Sequence, residues 1–455
     1  MNLYDLLQRR KREEKPIRVG VIGAGKFATM FFSQALLTPG IKIVGIADLY
    51  PEKARKACIR AGWPESKLSF QSGAGRINED ARAGKTVITD DALALIEAET
   101  EIILEVTGIP EAGAMHAVRA MENGKDVVMV NVEADALLGP WLRKKADALG
   151  RIVSMAYGDQ PAIICEQIDW ARAIGLEVVC AGKGTRYQPA YHDSTPDTVW
   201  KFYGFSDEQV KSGDYNAKMF NSFLDGTKSA IEMCAVANGS GLTPQKEGLQ
   251  FPPVGADRLQ DFLKPRNAGG ILGESGTVEV VASENRDGTP VENDLRWGTY
   301  VVFRAPTEYV RRCFIEYGLK ADESGYYSAL YRPYHLIGLE LGISVASVAL
   351  RREPTGSSRI FAGDVAAVAK KDLKSGDILD GEGGHTVFGR LARAEESILS
   401  GFLPMGLTDR AKVTAPVSKG SVLTYKDVEL DESAFAFRLR KSMEREMRPL
   451  RRFNG

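Results

Sequence analysis

Four polar side chains recur with a helical rhythm in the segment FNSFLDGTKSAIEM, residues 220–233. These side chains, at spacings of four, three and four, are Asn221, Asp225, Lys228 and Glu232. On a single helix they would share one face, and a lysine beside carboxylates can polarise a carbonyl group or stabilise an oxyanion. We therefore predict that Lys228 is catalytic and that Asp225 or Glu232 orients it or carries a proton. The alternative, a solvated Lys228–Glu232 pair, would explain the spacing but not Gly226 within a helical pattern.

A basic segment follows the strand-like run LEVVCAGKG, residues 176–184. In AGKGTRYQPAYHD we predict a glycine-rich loop that carries Lys183 and Arg186. Two cations on such a loop suit a substrate phosphate, because both donate charge-assisted hydrogen bonds to phosphate oxygens. The alternative is a solvated turn without a ligand.

A short polar segment, AYGDQPA, precedes a predicted helix at Pro161. Proline suits the first turn of a helix, so residues 158–160 either contact a ligand or only cap that helix. The complete set of predicted substrate contacts is Gly158, Asp159, Gln160, Lys183, Arg186 and Asn221.

A glycine motif follows the first apolar run of the chain. In IRVGVIGAGKFATM, the pattern Gly23-x-Gly25-x-x-Ala28 comes after a predicted strand and opens a predicted helix. Gly23 permits the tight turn, and Gly25 lets a pyrophosphate approach the backbone at the helix N-terminus. The pattern predicts a dinucleotide site. Its predicted contacts in this loop are Gly23, Gly25, Lys26 and Phe27.

Two later strand ends add polar groups to this prediction. EVTG ends in Thr107 and Gly108, and VNVEAD carries Asn131 and Glu133. Ligands of open α/β sheets bind at the carboxyl ends of strands, so we predict that Thr107, Gly108 and Asn131 contact the cofactor. Glu133 is predicted to be an acid/base group or a metal ligand. The alternative is a carboxylate stabilised by the dipole at a helix N-terminus.

The choice between NAD and NADP depends on Asp48, which ends the second predicted strand twenty residues after Ala28. A carboxylate there accepts a hydrogen bond from a ribose 2′-hydroxyl and repels a 2′-phosphate. Lys53, Arg55 and Arg76 could supply the opposite charge. The residues by themselves favour NAD.

Alternating apolar runs and helical patterns predict an α/β fold that begins with a Rossmann-type, doubly wound parallel sheet. An α+β substrate domain and a small β-rich module should follow. The predicted parts are an N-terminal helix (1–16), the dinucleotide-binding domain (17–156), the substrate and dimerisation domain (157–360), the β-rich module (361–431) and a C-terminal tail helix (432–455).

Local patterns make finer predictions. The glycine- and arginine-containing segment 71–91 is predicted as a loop, and CFIEYG, residues 313–318, as a strand. Long helices are predicted around 222–237 and 333–350. The fragments AKKDLKSGDIL and APVSKGSVLTYKDVEL each place a leucine three residues after a glycine, which predicts two similar strand-turn units.

Composition excludes several classes of protein. Lys plus Arg is 59 and Asp plus Glu is 60, which leaves no electrostatic footprint for nucleic acid. No run is long enough to span a membrane, the N-terminal stretch lacks the apolar core of a signal peptide, and the five cysteines are scattered singly. We expect a cytoplasmic protein. The histidines His116, His192 and His335 are interpreted as isolated structural residues, whereas His385 lies in the loop GEGGHTVFG and could reach a cleft.

The body of the chain resembles homoserine dehydrogenase. DVVMVNVEADALLG is similar to that family's strand near the nicotinamide, although the family carries a lysine where this chain has Val132 and Glu133. FLDGTKSAIEMCAVAN is similar to its substrate-domain helix, in which an Asp, a Gly and a catalytic Lys recur. The matching residues here are Asp225, Gly226 and Lys228.

The terminal module resembles a SAF domain through KSGDIL and LPMGL…VSKGSVLTYKDV. A homoserine-dehydrogenase-like body followed by such a module is similar to the deoxyxylulose-phosphate reductoisomerase-like enzymes. The resemblance implies an NADPH-dependent reductive isomerisation of 1-deoxy-D-xylulose 5-phosphate, a step of isoprenoid precursor synthesis, by a homodimer. It leaves open whether a divalent metal is needed. The alternatives are hydride transfer on another hydroxy acid or polyol, and a nucleotide-sensing binding protein.

Overall fold

The computed structural model describes residues 2–212 and 215–447, with the side chains of residues 207 and 212 left out. The described residues form two compact units. The first unit lies within Met1–Ile163 and His335–Arg359, and the second within Ile164–Tyr334 and Ile360–Gly455.

The first unit contains seven strands: β1 (Ile17–Ile22), β2 (Ile41–Ala47), β3 (Leu68–Phe70), β4 (Thr86–Thr89), β5 (Ile102–Glu105), β6 (Asp126–Met129) and β7 (Val153–Met155). All pair in parallel in the order β3-β4-β2-β1-β5-β6-β7. Their Val- and Ile-rich residues are mostly buried, as expected where helices cover both faces of a sheet. The predicted doubly wound α/β architecture is confirmed. The strand order reverses between β1 and β5, so their carboxyl ends flank the usual ligand crevice.

Helices connect these strands: α2 (Lys26–Ala35), α3 (Pro51–Arg60), α4 (Ala74–Arg82), α5 (Ala92–Glu97), α6 (Pro110–Glu122) and α7 (Val132–Ala148). α1 (Leu3–Arg12) precedes β1, and α8 (Gln160–Ala173) follows β7 and lies mostly in the second unit. The N-terminal helix predicted within residues 1–16 is confirmed as α1. The loop predicted over residues 71–91 is wrong, because the segment contains α4 and β4. Gly73 and Gly84 flank α4 at positive φ, so they delimit the helix, and Ile77 buries its apolar side.

The second unit is built on five strands: β8 (Glu177–Thr185), β9 (Thr243–Pro244), β10 (Thr277–Ala282), β11 (Thr299–Arg304) and β12 (Tyr327–Arg332). They form a mixed sheet in the order β12-β11-β8-β10-β9. β10 runs parallel to β8 and β9, whereas β11 is antiparallel to β8 and β12. The helices of this stretch are α9 (Val199–Tyr203), α10 (Asp207–Ser212), α11 (Ala217–Leu224), α12 (Thr227–Ser240), α13 (Leu259–Phe262) and α14 (Glu308–Glu316).

The segment that carries the four polar side chains is two helices rather than one. α11 ends at Leu224 and α12 begins at Thr227. Gly226 lies between them at φ +87°, a left-handed conformation that glycine adopts without strain and that interrupts a helix. The prediction of one shared helical face for Asn221, Asp225, Lys228 and Glu232 is therefore wrong. The glycine marks a junction between helices and not the interior of one.

The strand predicted over residues 313–318 is also wrong, because most of the segment lies in α14. Thr307 begins this helix with a side chain that accepts a hydrogen bond from the N–H of Val310 at 3.2 Å. Phe314 is its buried residue, whereas Ile315 and Tyr317 remain exposed. The apolar run therefore contributes one side chain to the core instead of alternating as in a strand.

The chain returns to the first unit in residues 335–359, which the sequence places in the domain 157–360. Here α15 (Gly342–Ala346) continues into a π-helical turn, Ser347–Arg351, so the long helix predicted over 333–350 is wrong. A Cβ at Gly338 would lie 2.5 Å from the carbonyl oxygen of Phe27, and Val345 packs in the core of the first unit. Gly338 has φ +72°, which interrupts a helix before α15, and its packing against α2 places this segment with the first unit.

The C-terminal part of the second unit contains small antiparallel pairs, as the predicted β-rich module requires. Its elements are β13 (Gly363–Ala369) paired with β14 (Val387–Arg393), β15 (Lys412–Val413) paired with β16 (Val428–Glu429), α16 (Ala394–Ser400) and α17 (Phe435–Glu446). The two predicted strand-turn units form matching turns. Gly376 and Gly420 both have positive φ, and Leu379 and Leu423, three residues later, are both buried.

The predicted C-terminal tail helix, residues 432–455, includes α17, while residues 448–455 lie outside the described residues. Within residues 2–212 and 215–447, no helix is both long and apolar enough to cross a membrane.

Candidate functional site

The glycine loop between β1 and α2 has the geometry of an anion-binding turn. Gly23 has φ +104°, and a Cβ there would lie 2.9 Å from the backbone carbonyl of Val106, so the fold itself requires this glycine. Gly25 has φ −79° at the N-cap of α2, and a Cβ there would meet no atom within 4 Å. Lys26 and Phe27 then form the first helical residues. The backbone at Gly25 is accessible at the positive end of a helix dipole, which suits a pyrophosphate.

Asp48 follows β2 and braces this loop. Its Oδ2 accepts a hydrogen bond from the N–H of Ala24 at 2.8 Å, and its Oδ1 accepts one from the N–H of Tyr50 at 2.9 Å. The carboxylate thus lies beside the glycine turn, where the sequence predicts a ribose contact. Arg55, one candidate for a 2′-phosphate contact, instead pairs with the carboxylates of Glu52 and Glu65.

The strand ends after β5 and β6 meet through their side chains. The hydroxyl of Thr107 donates to Glu105 at 2.6 Å and accepts from the amide of Asn131 at 3.2 Å. Asn131 also caps α7, because its Oδ1 accepts from the N–H of Ala134 at 3.0 Å. Gly108 has φ +70°, and a Cβ there would meet no atom within 4 Å. Thr107, Gly108 and Asn131, each predicted as a cofactor contact, therefore lie close together.

Sequence reasoning missed Glu105, the last residue of β5. Its side chain is fully buried, its Oε1 lies 3.2 Å from Nδ1 of His116, and its Oε2 has no hydrogen-bond partner among the described residues. The interpretation of His116 as isolated is therefore wrong. An acidic residue that ends an apolar strand just before Thr107 was the available signal.

The remaining predicted residues of the first unit lie at the starts of two helices, and their site roles stay predictions. Glu133 is half-buried in the first turn of α7, the geometry of the alternative in which the helix dipole stabilises it. Gly158 has φ +92°, and a Cβ there would lie 2.8 Å from the carbonyl oxygen of Leu336. Asp159 accepts a hydrogen bond from the N–H of Gln160, which begins α8 and is buried.

In the second unit, Asp225 occupies the junction between α11 and α12. Its Oδ1 accepts from the N–H of Thr227 at 2.9 Å, and its Oδ2 lies 2.7 Å from the ammonium of Lys370. Burial raises the pKa of Asp225, and the charge of Lys370 opposes that rise. Lys228 follows in the first turn of α12 and is half-buried. A lysine at this position can donate a proton or a hydrogen bond to a substrate oxygen.

The other members of the predicted stripe are engaged elsewhere. The amide of Asn221 donates to the carbonyl oxygens of Ser194 at 3.1 Å and Gly383 at 2.9 Å. Glu232 is buried in α12 and forms an ion pair with Lys183. The structure thus brings Asp225 and Lys228 to one junction, while Glu232 faces the sheet.

Lys183 does not lie on a loop, so that part of its prediction is wrong. It belongs to β8, and both Lys183 and Glu232 are buried. The neighbouring glycines permit close packing: a Cβ at Gly182 would lie 1.7 Å from the carbonyl oxygen of Glu279, and one at Gly184 would lie 2.0 Å from that of Leu295. The glycines therefore serve sheet packing instead of loop flexibility.

Arg186 comes just after β8 and is partly exposed. Its Nε donates to Glu284 at 2.6 Å and its Nη1 to the carbonyl oxygen of Phe202 at 2.5 Å. Tyr191 donates its hydroxyl to the same carboxylate at 2.8 Å. These bonds hold the Arg186 guanidinium beside the Tyr191 ring, 5.8 Å from its centroid.

Two histidines of this unit belong to networks. Nδ1 of His192 lies 2.7 Å from the carbonyl oxygen of Asp225, Nε2 lies 2.9 Å from the hydroxyl of Tyr187, and the ring stacks on Phe388. Burial lowers the pKa of His192. The interpretation of His192 as isolated is wrong. His385, half-exposed, lies between the carboxylates of Asp197 and Asp380.

Within the described parts of the chain, no group of three His, Cys, Asp or Glu side chains is placed to hold a metal ion. The residues of the first unit fit the dinucleotide expected from the sequence. The open backbone at Gly25 suits a pyrophosphate, and the carboxylate of Asp48, held by the N–H of Ala24, suits a ribose hydroxyl.

Comparison with known families decides what the first unit is. Residues 19–156 match the family described as homoserine dehydrogenase, NAD binding domain. The first unit contains an NAD-binding domain. Residues 158–341 match a second family, described as oxidoreductase DRL, catalytic domain, which includes the α11–α12 junction. Both matches agree with the resemblances noted in the sequence. No curated protein matches the chain by sequence.

Solved structures show more distant likenesses. A 3-ketoreductase from Actinomadura kijaniata in complex with TDP-benzene and NADP is 18% identical over 38% of this chain and 50% of its own, with a TM-score of 0.23. The 1-deoxy-D-xylulose 5-phosphate reductoisomerase from Zymomonas mobilis in complex with NADPH is 14% identical over 49% of this chain and 57% of its own, with a TM-score of 0.32. An oxidoreductase from Desulfitobacterium hafniense, described as NADPH-dependent, is 10% identical over 74% of this chain and 89% of its own, with a TM-score of 0.35.

The chain spans about half the length of the first of these structures. TM-scores this low carry no argument about function. The function of the chain is therefore inferred from the family matches and the local geometry.

Proposed function

We propose that the chain is an NAD(P)-dependent oxidoreductase that reduces a small carbonyl substrate. The observation that carries the proposal is the accessible backbone of Gly25 at the N-terminus of α2, inside an NAD-binding domain that is followed by residues matching an oxidoreductase catalytic domain. Gly25 and the α2 N-terminus would hold the pyrophosphate, and Asp48 would face the adenosine ribose. When bound, the reduced dinucleotide supplies a hydride.

The residues of the second unit would manage the proton. The Lys228 ammonium would donate to the substrate oxygen as negative charge develops on it, and Asp225 would fix the turn that precedes Lys228. Glu232 lies one helical turn further along α12, and its buried ion pair with Lys183 of β8 would balance its charge. Thr107 and Asn131 would contact the nicotinamide side of the cofactor.

The specific substrate that we propose is 1-deoxy-D-xylulose 5-phosphate, converted by reductive isomerisation with NADPH in the cytoplasm by a homodimer. Support comes from the resemblance of the chain to reductoisomerase-like enzymes with a SAF-like module and from the match to the oxidoreductase DRL catalytic domain. Arg186, a partly exposed cation just after β8, is the candidate for the substrate phosphate. A second candidate function, hydride transfer on a hydroxy acid or polyol, is favoured by the homoserine dehydrogenase match of the NAD-binding domain.

The test follows the absorbance of NADPH and NADH with 1-deoxy-D-xylulose 5-phosphate, other ketose phosphates and their unphosphorylated forms. Each assay is run with added Mg²⁺ and again with a chelator, so that a metal requirement is measured directly. Oxidation of NADPH with the named substrate supports the specific proposal. Turnover only with a hydroxy acid or polyol selects the second candidate.

Tight dinucleotide binding without turnover of any compound would instead indicate the nucleotide-sensing protein.

The role of Arg186 in phosphate binding is tested separately. Arg186→Gln should weaken binding of the phosphorylated ketose about tenfold and leave the unphosphorylated ketose unchanged. Equal effects on both ligands would remove Arg186 from the phosphate site.

A further inference from the structure

The C-terminal part of the second unit packs against α11, α12 and the junction between them and forms hydrogen bonds with them. The Lys218 ammonium donates to the carbonyl oxygen of Asp380 at 2.6 Å, and the N–H of Gly389 donates to the Thr227 hydroxyl at 2.8 Å. A Cβ at Gly383 would lie 1.9 Å from the carbonyl oxygen of Lys218. The loop between β13 and β14 therefore packs directly on the residues that precede Lys228.

Lys370, the residue after β13, makes the most complete of these contacts. Its ammonium donates to Asp225 at 2.7 Å, to the carbonyl oxygen of Ser194 at 2.8 Å and to that of Gly384 at 2.8 Å. A lysine ammonium has three donors, so all of them are used. Its side chain is 2% exposed and that of Asp225 is fully buried. No donor of Lys370 remains for a substrate, which makes its role one of position and not of chemistry.

Asp225 is fixed from both sides at this point. His192 holds its main chain: because a carbonyl oxygen only accepts, Nδ1 of His192 carries the proton and Nε2 accepts from the Tyr187 hydroxyl. Lys370 holds its side chain, and the other carboxylate oxygen accepts the first N–H of α12, at Thr227. The direction in which α12 starts, and with it the placement of Lys228, depends on this anchored carboxylate.

We propose that Lys370 is a positioning residue, which makes the module of residues 361–431 a working part of the catalytic site and not a separate reporter domain. The role of Lys370 rests on the proposed function in one respect, that Lys228 acts on the substrate. Its structural half, that Lys370 sets the start of α12, does not depend on any substrate.

A second buried lysine of the same unit, Lys264, provides a control for the Lys370 variant. Lys264 also forms a buried ion pair, with Asp322 at 2.5 Å, but it lies just after α13 and contacts none of the junction residues. Removing one partner of a buried pair leaves the other charge buried and uncompensated, so both substitutions destabilise the fold. Lys370→Met and Lys264→Met should therefore lower the unfolding midpoint alike. They differ only in whether the α12 junction loses its anchor.

The experiment compares both variants with the wild type by amide hydrogen exchange and by steady-state kinetics. Lys370→Met should speed exchange at residues 226–230 at least about tenfold and lower kcat at least about tenfold, with dinucleotide affinity unchanged. Lys264→Met should change neither. If Lys370→Met fails to fold, Thr227→Val, which removes the hydroxyl that accepts from Gly389, should give a smaller change of the same kind.

Equal exchange and equal kcat in Lys370→Met and Lys264→Met would overturn the proposal. The two levels of the account fail separately. If the wild type shows no turnover but exchange at residues 226–230 still depends on Lys370, the proposed activity is wrong and the positioning role stands.

Discussion

Asp48 and Ala24 are joined by a hydrogen bond, with the carboxylate Oδ2 accepting the backbone N–H at 2.8 Å. This bond ties the end of β2 to the glycine loop. The residue expected to recognise the ribose therefore also shapes the turn expected to receive the pyrophosphate. A variant that removes the charge of Asp48 but keeps a hydrogen-bond acceptor separates the two effects.

Gly25→Val should weaken binding of NADPH and NADH at least about tenfold, because a branched side chain would occupy the space that the pyrophosphate needs. The substitution is a clean one, since Gly25 has φ −79° and a Cβ there meets no atom within 4 Å. Titration calorimetry measures the affinity. Gly75→Val is the control, because Gly75 lies exposed in α4 with equally open surroundings. Unchanged binding in Gly25→Val would end the assignment of this loop to the cofactor.

Asp48→Asn should shift preference towards NADPH, because the variant removes the charge that repels a 2′-phosphate. Asparagine keeps one acceptor for the loop N–H groups, so the glycine turn is disturbed less than it would be by alanine. The quantity to measure is the ratio of the two dissociation constants. A ratio equal to that of the wild type would show that Asp48 only braces the loop.

Strands β1, β2, β5, β6 and β7 could be predicted because each lies in a short apolar run that is largely buried. β3 was not predicted, because it has only three residues, Leu68–Phe70, and only Leu68 is buried. The tight turn at Gly23 could be predicted from the glycine pattern, and Gly25 has the open surroundings that the pattern predicts. The glycine content of segment 71–91 suggested a loop, but Gly73 and Gly84 lie just outside the two ends of α4 and do not interrupt it.

The candidate site of the second unit was predictable only in part. Spacing drew attention to Asp225 and Lys228, whose role in catalysis stays a prediction, but periodicity could not reveal that Gly226 adopts a positive φ and ends the helix pattern. Lys370 lies 145 positions from Asp225 in the chain, and no local pattern signals a pair at such a separation. Buried charges find their partners through the tertiary fold, which is why Lys183 also proved to be a strand residue paired with Glu232.

The Lys183–Glu232 pair predicts a specific pattern of stability. Lys183→Met should lower the free energy of unfolding by about 3–5 kcal/mol, because it leaves a buried carboxylate without its partner. Adding Glu232→Leu should restore part of the loss, giving a coupling energy of about 2 kcal/mol in a double-mutant cycle. Urea unfolding of the four proteins provides the values. Additive effects would mean that the two side chains do not interact.

Glu279 predicts a pH dependence. Burial raises its pKa from an ordinary 4.5 to about 7, against the opposing hydrogen bonds from Gln245 and from backbone N–H groups. The native state therefore binds this proton more tightly than the unfolded state does. The stability it contributes is full below pH 4.5 and is lost as pH rises through 7, by on the order of 3 kcal/mol in all.

The comparison of wild type with Glu279→Gln isolates this effect, because the amide keeps the shape and cannot titrate. Unfolding free energies measured between about pH 5 and about pH 8 should fall more steeply for the wild type. Parallel curves, or a wild type that gains stability relative to the variant, would contradict the assignment.

Lys228→Met gives the most direct test of the central claim, that the α11–α12 junction is the catalytic site of an NAD(P)-dependent oxidoreductase. The substitution keeps the length of the side chain and removes its charge. With 1-deoxy-D-xylulose 5-phosphate and NADPH, we expect the wild type to oxidise the cofactor and the variant to lose about a hundredfold or more in kcat, with its fold and dinucleotide affinity intact. Equal turnover by wild type and Lys228→Met would contradict the account.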